Sequence, residues 1–165
     1  MPLYFAADRT LGKLAKWLRI LGFDATFEID VPADLFYEHL GKDRIVLTRT
    51  RIIKKRSSTH RLVFITSDLL DMQLKQVIAE IGIRPADTRP FSRCIHCNIP
   101  IVDAYPDDVC GLIPDYIYET HCEFHKCNQV SGHKHHLERH RQSGYYNEYI
   151  LKTAGCPPDG FRFQR

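Results

Sequence analysis

The sequence predicts an α/β fold with a mostly parallel sheet, followed by a small module that contains five of the six cysteines. In the first 90 residues, short apolar runs alternate with segments of helical periodicity, in the order strand, helix, strand, helix, strand, strand, helix. This alternation is typical of a parallel sheet covered by helices. All six cysteines lie after residue 93. We therefore expect an α/β domain over residues 1–90, a cysteine module over 91–143 and a loosely docked tail over 144–165.

The first predicted elements are a buried strand and an amphipathic helix. The run from Leu3 to Ala7 is apolar and too short for a helix, so it predicts a strand, which ends at Asp8. Thr10 is expected to cap the following helix, and Gly22 to take the left-handed conformation common after a helix end. The apolar positions of this helix recur at helical spacing and are Leu11, Leu14, Ala15, Leu18 and Leu21.

Three more strands and two more helices complete the predicted α/β domain. The strands are Phe23–Phe27, Ile45–Leu47 and Leu62–Ile65, and the helices are Pro32–Leu40 and a last helix capped by Ser67 or Asp68 and followed by Gly82. Parallel strands place their carboxyl ends along one edge of the sheet, where such sheets bind ligands. Asp8, Thr48–Thr50 and Thr66–Asp68 are expected at that edge.

The composition is that of a globular protein with a mildly basic surface. Of the 165 residues, 44% are hydrophobic, which is enough for a core. The net charge of +3 and the pI near 8.5 favour an anionic partner only weakly. No apolar run is long enough to predict a membrane span, and the first residues lack the pattern of a signal peptide. We therefore expect a cytoplasmic protein with reduced thiols.

Two pairs of cysteines have the spacing of a structural zinc site. They are Cys94 and Cys97, then, after 24 intervening residues, Cys122 and Cys127. Four thiolates from two such pairs bind zinc tetrahedrally. Three disulfides are the alternative for six cysteines, but disulfide scaffolds are short and rich in cysteine throughout. The fourth ligand stays open, because His121 or His125 can replace a cysteine of the second pair.

Carboxylates follow several of the predicted strands. Asp8 follows the first strand, Asp30 or Asp34 the second, and Asp68 the fourth. Because these strand ends share one edge of the sheet, the carboxylates are candidates for a site that holds Mg²⁺ or Mn²⁺, which take oxygen ligands. Asp8 also precedes a helix, where a carboxylate commonly serves as a cap. Position alone leaves both roles for Asp8 open.

Basic residues flank the same edge of the predicted sheet. No acidic residue occurs from Arg44 through Ser67, and basic residues, Arg19 among them, also lie on the face of the first helix opposite its leucines. Two such groups suit contacts with the phosphates of a nucleic acid, although a solvated surface has the same composition. The candidate nucleic-acid contacts are Arg9, Lys13, Lys16, Arg49, Arg51, Lys54, Lys55 and Arg56.

Several strings of residues together resemble the Mut-seven C-terminal RNase family, PIN-like nucleases that end in a zinc ribbon. The resemblance extends from about Leu3 to His136, and its strings are Phe5–Asp8, Leu11–Asp24, Leu47–Arg49, Gln73–Leu74 and Phe91–Asn98. It implies a PIN-like three-layer α/β/α domain with a mostly parallel sheet, followed by a small zinc ribbon. It also implies a metal-dependent RNase activity, with Asp8 as the catalytic carboxylate of the first strand.

This chain departs from the family pattern at two places. Thr50 stands where the family usually has an aspartate, and four residues rather than two separate Cys122 from Cys127. A threonine hydroxyl is an uncharged and poorer metal ligand. The sequence therefore predicts a divalent-metal-dependent ribonuclease acting on single-stranded RNA and weakened at Thr50. The alternative is an RNA-binding or ribonucleoprotein-docking protein with impaired cleavage.

Overall fold

A four-stranded parallel sheet lies at the centre of the structure, a computed structural model that describes residues 2–30, 40–41, 43–51, 61–105, 107, 110, 115, 119 and 124–127. The strands are β1 (Tyr4–Ala7), β2 (Asp24–Phe27), β3 (Arg44–Thr48) and β4 (Leu62–Phe64), in the spatial order β2-β1-β3-β4. All three pairings are parallel. The predicted α/β class is confirmed, and each of the four predicted strands ends within one residue of its predicted limits.

Alternate residues of the strands face opposite sides of the sheet, and both sides are covered. Phe5 and Ala7 of β1 pack into the larger core cluster together with the helices. Ala6 points the other way and packs with Val46 and Leu40. Burial on both faces explains why these strands are almost continuously apolar. The helix predicted over Pro32–Leu40 lies, except for Leu40, outside the described residues, so the three-layer arrangement stays a prediction.

Two helices pack side by side on the larger core cluster. Helix α1 (Gly12–Ile20) connects β1 to β2, and helix α2 (Leu70–Ile81) follows β4. Their apolar positions recur at helical spacing, so each helix turns one continuous apolar stripe toward the sheet. Gly22 and Gly82 follow the two helices with φ of +90° and +76°. The left-handed conformation predicted for Gly22 is confirmed, and Gly82 adopts it as well.

The predicted helix caps were wrong. Helix α1 begins after Leu11 and α2 after Leu69, and neither of these residues caps its helix with a side chain. The hydroxyl of Thr10 instead donates to Asp8, at 2.5 Å. The hydroxyl of Ser67 accepts from the N–H of Leu69 at 3.1 Å, in the turn before α2. Both hydroxyls therefore order the turn that precedes a helix rather than the helix end itself.

The chain returns from α2 to the end of α1 before it enters the cysteine module. The N–H of Arg89 donates to the carbonyl of Leu21 at 2.9 Å, and the N–H of Phe91 to that of Ile20 at 2.8 Å. Beyond this linker, β5 (Ile101–Ala104) and β6 (Phe124–Cys127) form an antiparallel pair. Within the described part of the chain, no helix is long and apolar enough to cross a membrane.

Candidate functional site

Asp8 lies where the carboxyl ends of β1 and β3 meet. The chain leaves β1 for β2 on one side and returns to β3 on the other, so its connections diverge above β1. Such a divergence opens a crevice, which is the usual ligand site of open α/β sheets. Asp8 follows β1 directly and donates its N–H to the carbonyl of Leu47 in β3, at 3.0 Å. The position predicted for Asp8, at the carboxyl edge of the sheet, is confirmed.

The carboxylate of Asp8 is surrounded by hydrogen-bond donors, and the residue is fully buried. Its Oδ1 accepts from the N–H and the hydroxyl of Thr10, at 2.9 and 2.5 Å. Its Oδ2 accepts from the hydroxyl of Thr48 at 2.5 Å and from the N–H of Arg49 at 2.9 Å. The hydroxyl of Thr50 lies 3.4 Å from the same oxygen. Since a carboxylate offers about four acceptor positions, these donors occupy nearly all of them.

These donors keep Asp8 ionised. Burial raises the pKa of Asp8, but hydrogen bonds from the hydroxyls of Thr10 and Thr48 and from the N–H groups of Arg49 and Thr10 outweigh it, and the net pKa is below its usual value. Asp8 does not cap α1, because that helix begins after Leu11. The carboxylate instead ties the turn after β1 to the end of β3. The same donors compete for the oxygens that a metal ion would need.

Arg49 connects Asp8 to Asp68. Asp68 follows β4, and its side chain is 83% exposed and pairs with the guanidinium of Arg49. The backbone N–H of Arg49 donates to the carboxylate of Asp8. Asp30 closes a short 3-10 turn, Glu28–Asp30, directly after β2, and its side chain lies outside the described part of the chain. The roles of Asp8, Asp30 and Asp68 as metal ligands stay predictions.

Three of the four predicted zinc ligands form a second candidate site. The Sγ atoms of Cys94, Cys97 and Cys127 all lie within 4.8 Å of one another, and no other group of three potential ligands is this close within the described residues. The Sγ atoms of Cys97 and Cys127 are 3.7 Å apart. Two thiolates bound tetrahedrally to zinc at about 2.3 Å lie about 3.8 Å apart, so this arrangement fits zinc. Cys122, His121 and the side chain of His125 lie outside the described part.

The first cysteine pair sits in a tight turn whose backbone is internally bonded. Asn98 has φ of +61° and donates its N–H to the carbonyl of Cys94, at 3.0 Å. The N–H of Cys94 donates to the carbonyl of Ile99 at 2.9 Å. Burial raises the pKa of the Cys94 thiol to about 12. A metal ion would therefore displace a proton from this sulfur on binding.

A comparison with protein families decides what kind of protein these two sites belong to. Residues 3–136 match the Mut7-C RNAse domain family. The chain belongs to this family. No curated protein and no solved structure matches it significantly. The resemblance drawn from the sequence is confirmed, and family membership indicates a nuclease-like function with RNA as the class of substrate.

The candidate nucleic-acid contacts of this Mut7-C domain have different surroundings. Lys13, Lys16 and Arg51 are exposed. The side chain of Arg9 is 62% exposed and lies 3.3 Å from a carboxylate oxygen of Glu28. Arg49 pairs with Asp68, as described above. Lys54, Lys55 and Arg56 lie outside the described residues. The role of the exposed members in binding a nucleic acid stays a prediction.

One of the expected surface cations of α1 is buried. Arg19 is only 2% exposed and donates to backbone carbonyls. Its expected place on the solvent face of the helix is wrong, because the cysteine turn packs against that part of α1. Sequence periodicity gives no signal for this contact, since the turn is more than 70 residues away along the chain.

Sequence analysis also missed a buried carboxylate beside Asp8. Glu28 is 8% exposed, follows β2 and accepts from the N–H of Arg9 at 2.8 Å. The signal was available, because Glu28 follows a predicted strand just as Asp8 does. Glu28 is thus a carboxylate at the end of β2 that binds the backbone of the turn after β1, through the N–H of Arg9.

Proposed function

We propose that this Mut7-C domain is a divalent-metal-dependent ribonuclease that acts on single-stranded RNA at the carboxyl edge of its sheet. The observation that carries the proposal is the buried carboxylate of Asp8 at the carboxyl ends of β1 and β3, where hydrogen-bond donors hold its pKa below the usual value. Burying a charge is costly unless donors or cations compensate it, so a buried carboxylate at a ligand-binding edge is a candidate functional group. Membership of an RNase family supplies the class of reaction.

Asp8, Asp30 and Asp68 would hold Mg²⁺ or Mn²⁺, which would supply an activated water and neutralise charge on the scissile phosphate. Asp8 fits this role in charge and position. The hydroxyl of Thr50 fits it less well, because it lies 3.4 Å from Asp8 where the family has a second carboxylate. Arg49 fixes Asp8 through its N–H and Asp68 through its guanidinium, so it orients two of the three groups. We therefore expect weak activity.

Phosphates of the RNA would meet basic side chains on both sides of the crevice. Arg9 follows Asp8 directly and Arg51 follows β3, while Lys13 and Lys16 lie on the exposed face of α1. Contacts of this kind bind the RNA backbone without reading its sequence.

In the same proposal the zinc is structural. The zinc would have four ligands, which are Cys94, Cys97, Cys127 and, as the proposed fourth, Cys122. Four protein ligands arranged tetrahedrally would leave no open position for water.

The test of the nuclease proposal is cleavage of a labelled single-stranded RNA in the presence of Mn²⁺ by the wild type, Asp8→Asn and Asp43→Asn. Asp43 is exposed and precedes β3, so it lies at the opposite edge of the sheet. We expect weak cleavage by the wild type and by Asp43→Asn, and a loss of about a hundredfold or more in Asp8→Asn. Equal cleavage by all three proteins would show a contaminating nuclease or a site elsewhere.

The saturation of Asp8 by donors favours a second candidate function, RNA binding with impaired cleavage. The hydroxyls of Thr10, Thr48 and Thr50 surround an oxygen pair that a catalytic metal would have to share. Under this proposal the wild type binds RNA but cuts none above the level of Asp8→Asn. Binding is measured by fluorescence anisotropy on the same RNA. An absence of both binding and cleavage contradicts both candidate functions.

A further inference from the structure

A buried cation fastens the cysteine turn (Cys94–Cys97) to the α/β domain. Arg19 lies on α1, and its Nε donates to the carbonyl of Ala25 in β2, at 2.9 Å. Its Nη1 donates to the carbonyls of Ile95 and His96, at 3.0 and 2.8 Å. Ile95 and His96 are the two residues between the paired cysteines. One guanidinium therefore bonds to the edge strand of the sheet and to the backbone of the metal-binding turn at the same time.

The residue that follows the turn bonds to the same strand. Oδ1 of Asn98 accepts from the N–H of Ala25 at 3.1 Å, and its Nδ2 donates to Oδ1 of Asp24 at 2.9 Å. Among the described residues, β2 is at the edge of the sheet and pairs with β1 alone, so its outer side would otherwise expose backbone donors. Asp24 also accepts from Arg44 at 2.7 Å. The side-chain amide of Asn98 thus supplies the hydrogen-bond acceptor for the outward-facing N–H of Ala25 in β2.

These contacts make the order of the turn and the order of β2 depend on each other. If the turn unfolded, the guanidinium of Arg19 would lose the two carbonyl acceptors that the turn provides, and the N–H of Ala25 in β2 would lose its acceptor on Asn98. Losing hydrogen bonds to a charged group and to the backbone of an edge strand is destabilising. Holding the turn in place therefore stabilises α1 and β2, and a metal ion bound by the three cysteines would hold the turn in place.

We propose that metal binding by the cysteine cluster and the stability of the α/β domain are coupled through Arg19 and Asn98, which are positioning residues of the metal centre. Coupling of this kind is reciprocal: the metal stabilises β2, and the docked β2 raises the affinity of the cysteines for the metal. The inference rests on the proposed zinc centre and is independent of ribonuclease activity. It extends to the candidate active site, because β2 leads directly into Glu28, which binds the N–H of Arg9.

The first measurement is backbone hydrogen exchange of the whole chain, with zinc bound and after removal of zinc by a chelator. We expect zinc removal to lower protection in β2 and in the last turn of α1 as well as in the cysteine turn. The amides of α2, whose residues take part in none of the hydrogen bonds between the cysteine turn, Arg19 and β2, serve as the internal reference. Loss of protection confined to the cysteine turn would overturn the proposal.

The second measurement compares variants that cut the contacts. Arg19→Met keeps an apolar stem and removes the donors, and Asn98→Gly removes the amide while tolerating φ of +61°. Lys75→Met, on the exposed face of α2, is the matched control. Zinc affinity is measured by competition with a chromophoric chelator. We expect it to fall about 10–100-fold in the first two variants, as is typical when partners of metal ligands are removed, and to stay unchanged in the control.

The same variants separate coupling from a general loss of stability. In Arg19→Met and Asn98→Gly, zinc should change the protection of β2 less than it does in the wild type. A merely structural role would lower protection equally with and without zinc and leave that difference unchanged, which would overturn the proposal. If Arg19→Met does not fold, Asn98→Gly alone decides. A wild-type chain that binds no zinc would refute the zinc centre, a result distinct from zinc binding without coupling.

Discussion

The hydroxyl of Thr50 lies 3.4 Å from Oδ2 of Asp8, at the position where the family resemblance led us to expect an aspartate. The hydroxyl of Thr48, two residues earlier, donates to the same oxygen at 2.5 Å and accepts from the N–H of Thr50 at 2.9 Å. The end of β3 therefore presents donors to Asp8, where a second carboxylate would present acceptors to a metal ion. This chemistry determines the first prediction.

Replacing Thr50 by Asp should create a divalent-metal site. Two carboxylates side by side repel each other, so the Thr50→Asp protein should melt at a lower temperature than the wild type in chelator and recover in Mn²⁺. Two unit charges about 4 Å apart interact by about 4 kcal/mol near a protein surface, so Mn²⁺ affinity should rise more than tenfold. Calorimetric titration and thermal unfolding measure both effects, and RNA cleavage should rise with them. Thr50→Asn is the uncharged control. A Thr50→Asp protein that binds no Mn²⁺ and cuts no RNA would contradict the nuclease proposal.

Basic residues of α1 should separate into RNA contacts and structural contacts. Lys13 and Lys16 are exposed, so replacing both by Ala should weaken RNA binding and leave the melting temperature unchanged. Loss of two phosphate contacts should reduce the slope of log affinity against log salt by about 1.4.

Arg19→Ala should instead destabilise the fold by about 2 kcal/mol or more, since buried carbonyls lose their donor. Anisotropy titrations at several salt concentrations and chemical denaturation test the contrast. An unchanged salt slope in the double variant would show that Lys13 and Lys16 only solubilise the protein.

Gly22 should tolerate no side chain. Its φ is +90°, and a Cβ there would lie 2.1 Å from the carbonyl oxygen of Arg89. Gly22→Ala should therefore lower the free energy of unfolding by well over about 1 kcal/mol and loosen the linker to the cysteine module. Gly82→Ala is the matched control, because φ is +76° but no atom lies within 4 Å of the added carbon. Urea denaturation of both variants isolates the cost of the contact. Equal losses at the two positions would mean that backbone strain alone accounts for both.

Asp24 should make the fold sensitive to acid. Burial raises the pKa of Asp24, but hydrogen bonds from Arg44 and Asn98, together with the charges of Arg44 and Arg93, outweigh it and hold the pKa below its usual value. A carboxylate with a lowered pKa contributes stability above its unfolded pKa of about 3.9, and that stability is lost as the pH falls through the lower folded pKa. Asp24→Asn should cost about 1.5–3 kcal/mol at neutral pH and flatten the loss of stability that the wild type shows below about pH 5.

The pH dependence is measured by urea denaturation at a series of pH values. Asp43→Asn, at an exposed position, is the control and should follow the wild type. A curve for Asp24→Asn that runs parallel to the wild-type curve would show that other carboxylates carry the acid sensitivity. In that case the hydrogen bonds of Asp24 would still stabilise the docked turn, but its charge would not account for the pH dependence of the free energy of unfolding.

The sequence by itself determined the four strands and two of the helices of the α/β domain, and the position of Asp8 after the first strand. Helix and strand periodicities are local properties, because each element must turn its apolar side chains toward one core. The lengths of the apolar runs and the glycines after both helices were therefore sufficient to place the strands within one residue. The spacing of the cysteine pairs predicted that Cys94, Cys97, Cys122 and Cys127 come together, since thiolates that share one metal recur at short, regular spacings, and the three of them within the described residues do lie together.

Only the tertiary structure decided what surrounds these residues. Lys16 and Arg19 look alike on a helix whose apolar stripe faces the sheet, but the cysteine turn packs over Arg19 and leaves Lys16 in solvent. Which flank of a helix a distant segment covers is set by packing between segments and leaves no periodic trace in the sequence. The hydroxyls around Asp8 are likewise brought together by packing between distant segments. Donors from the turn after β1 and from the end of β3 converge only when the two strands pair. The sequence specifies the elements and the ligand types, and the pairing of distant segments decides whether a carboxylate is free for a metal or already occupied by donors.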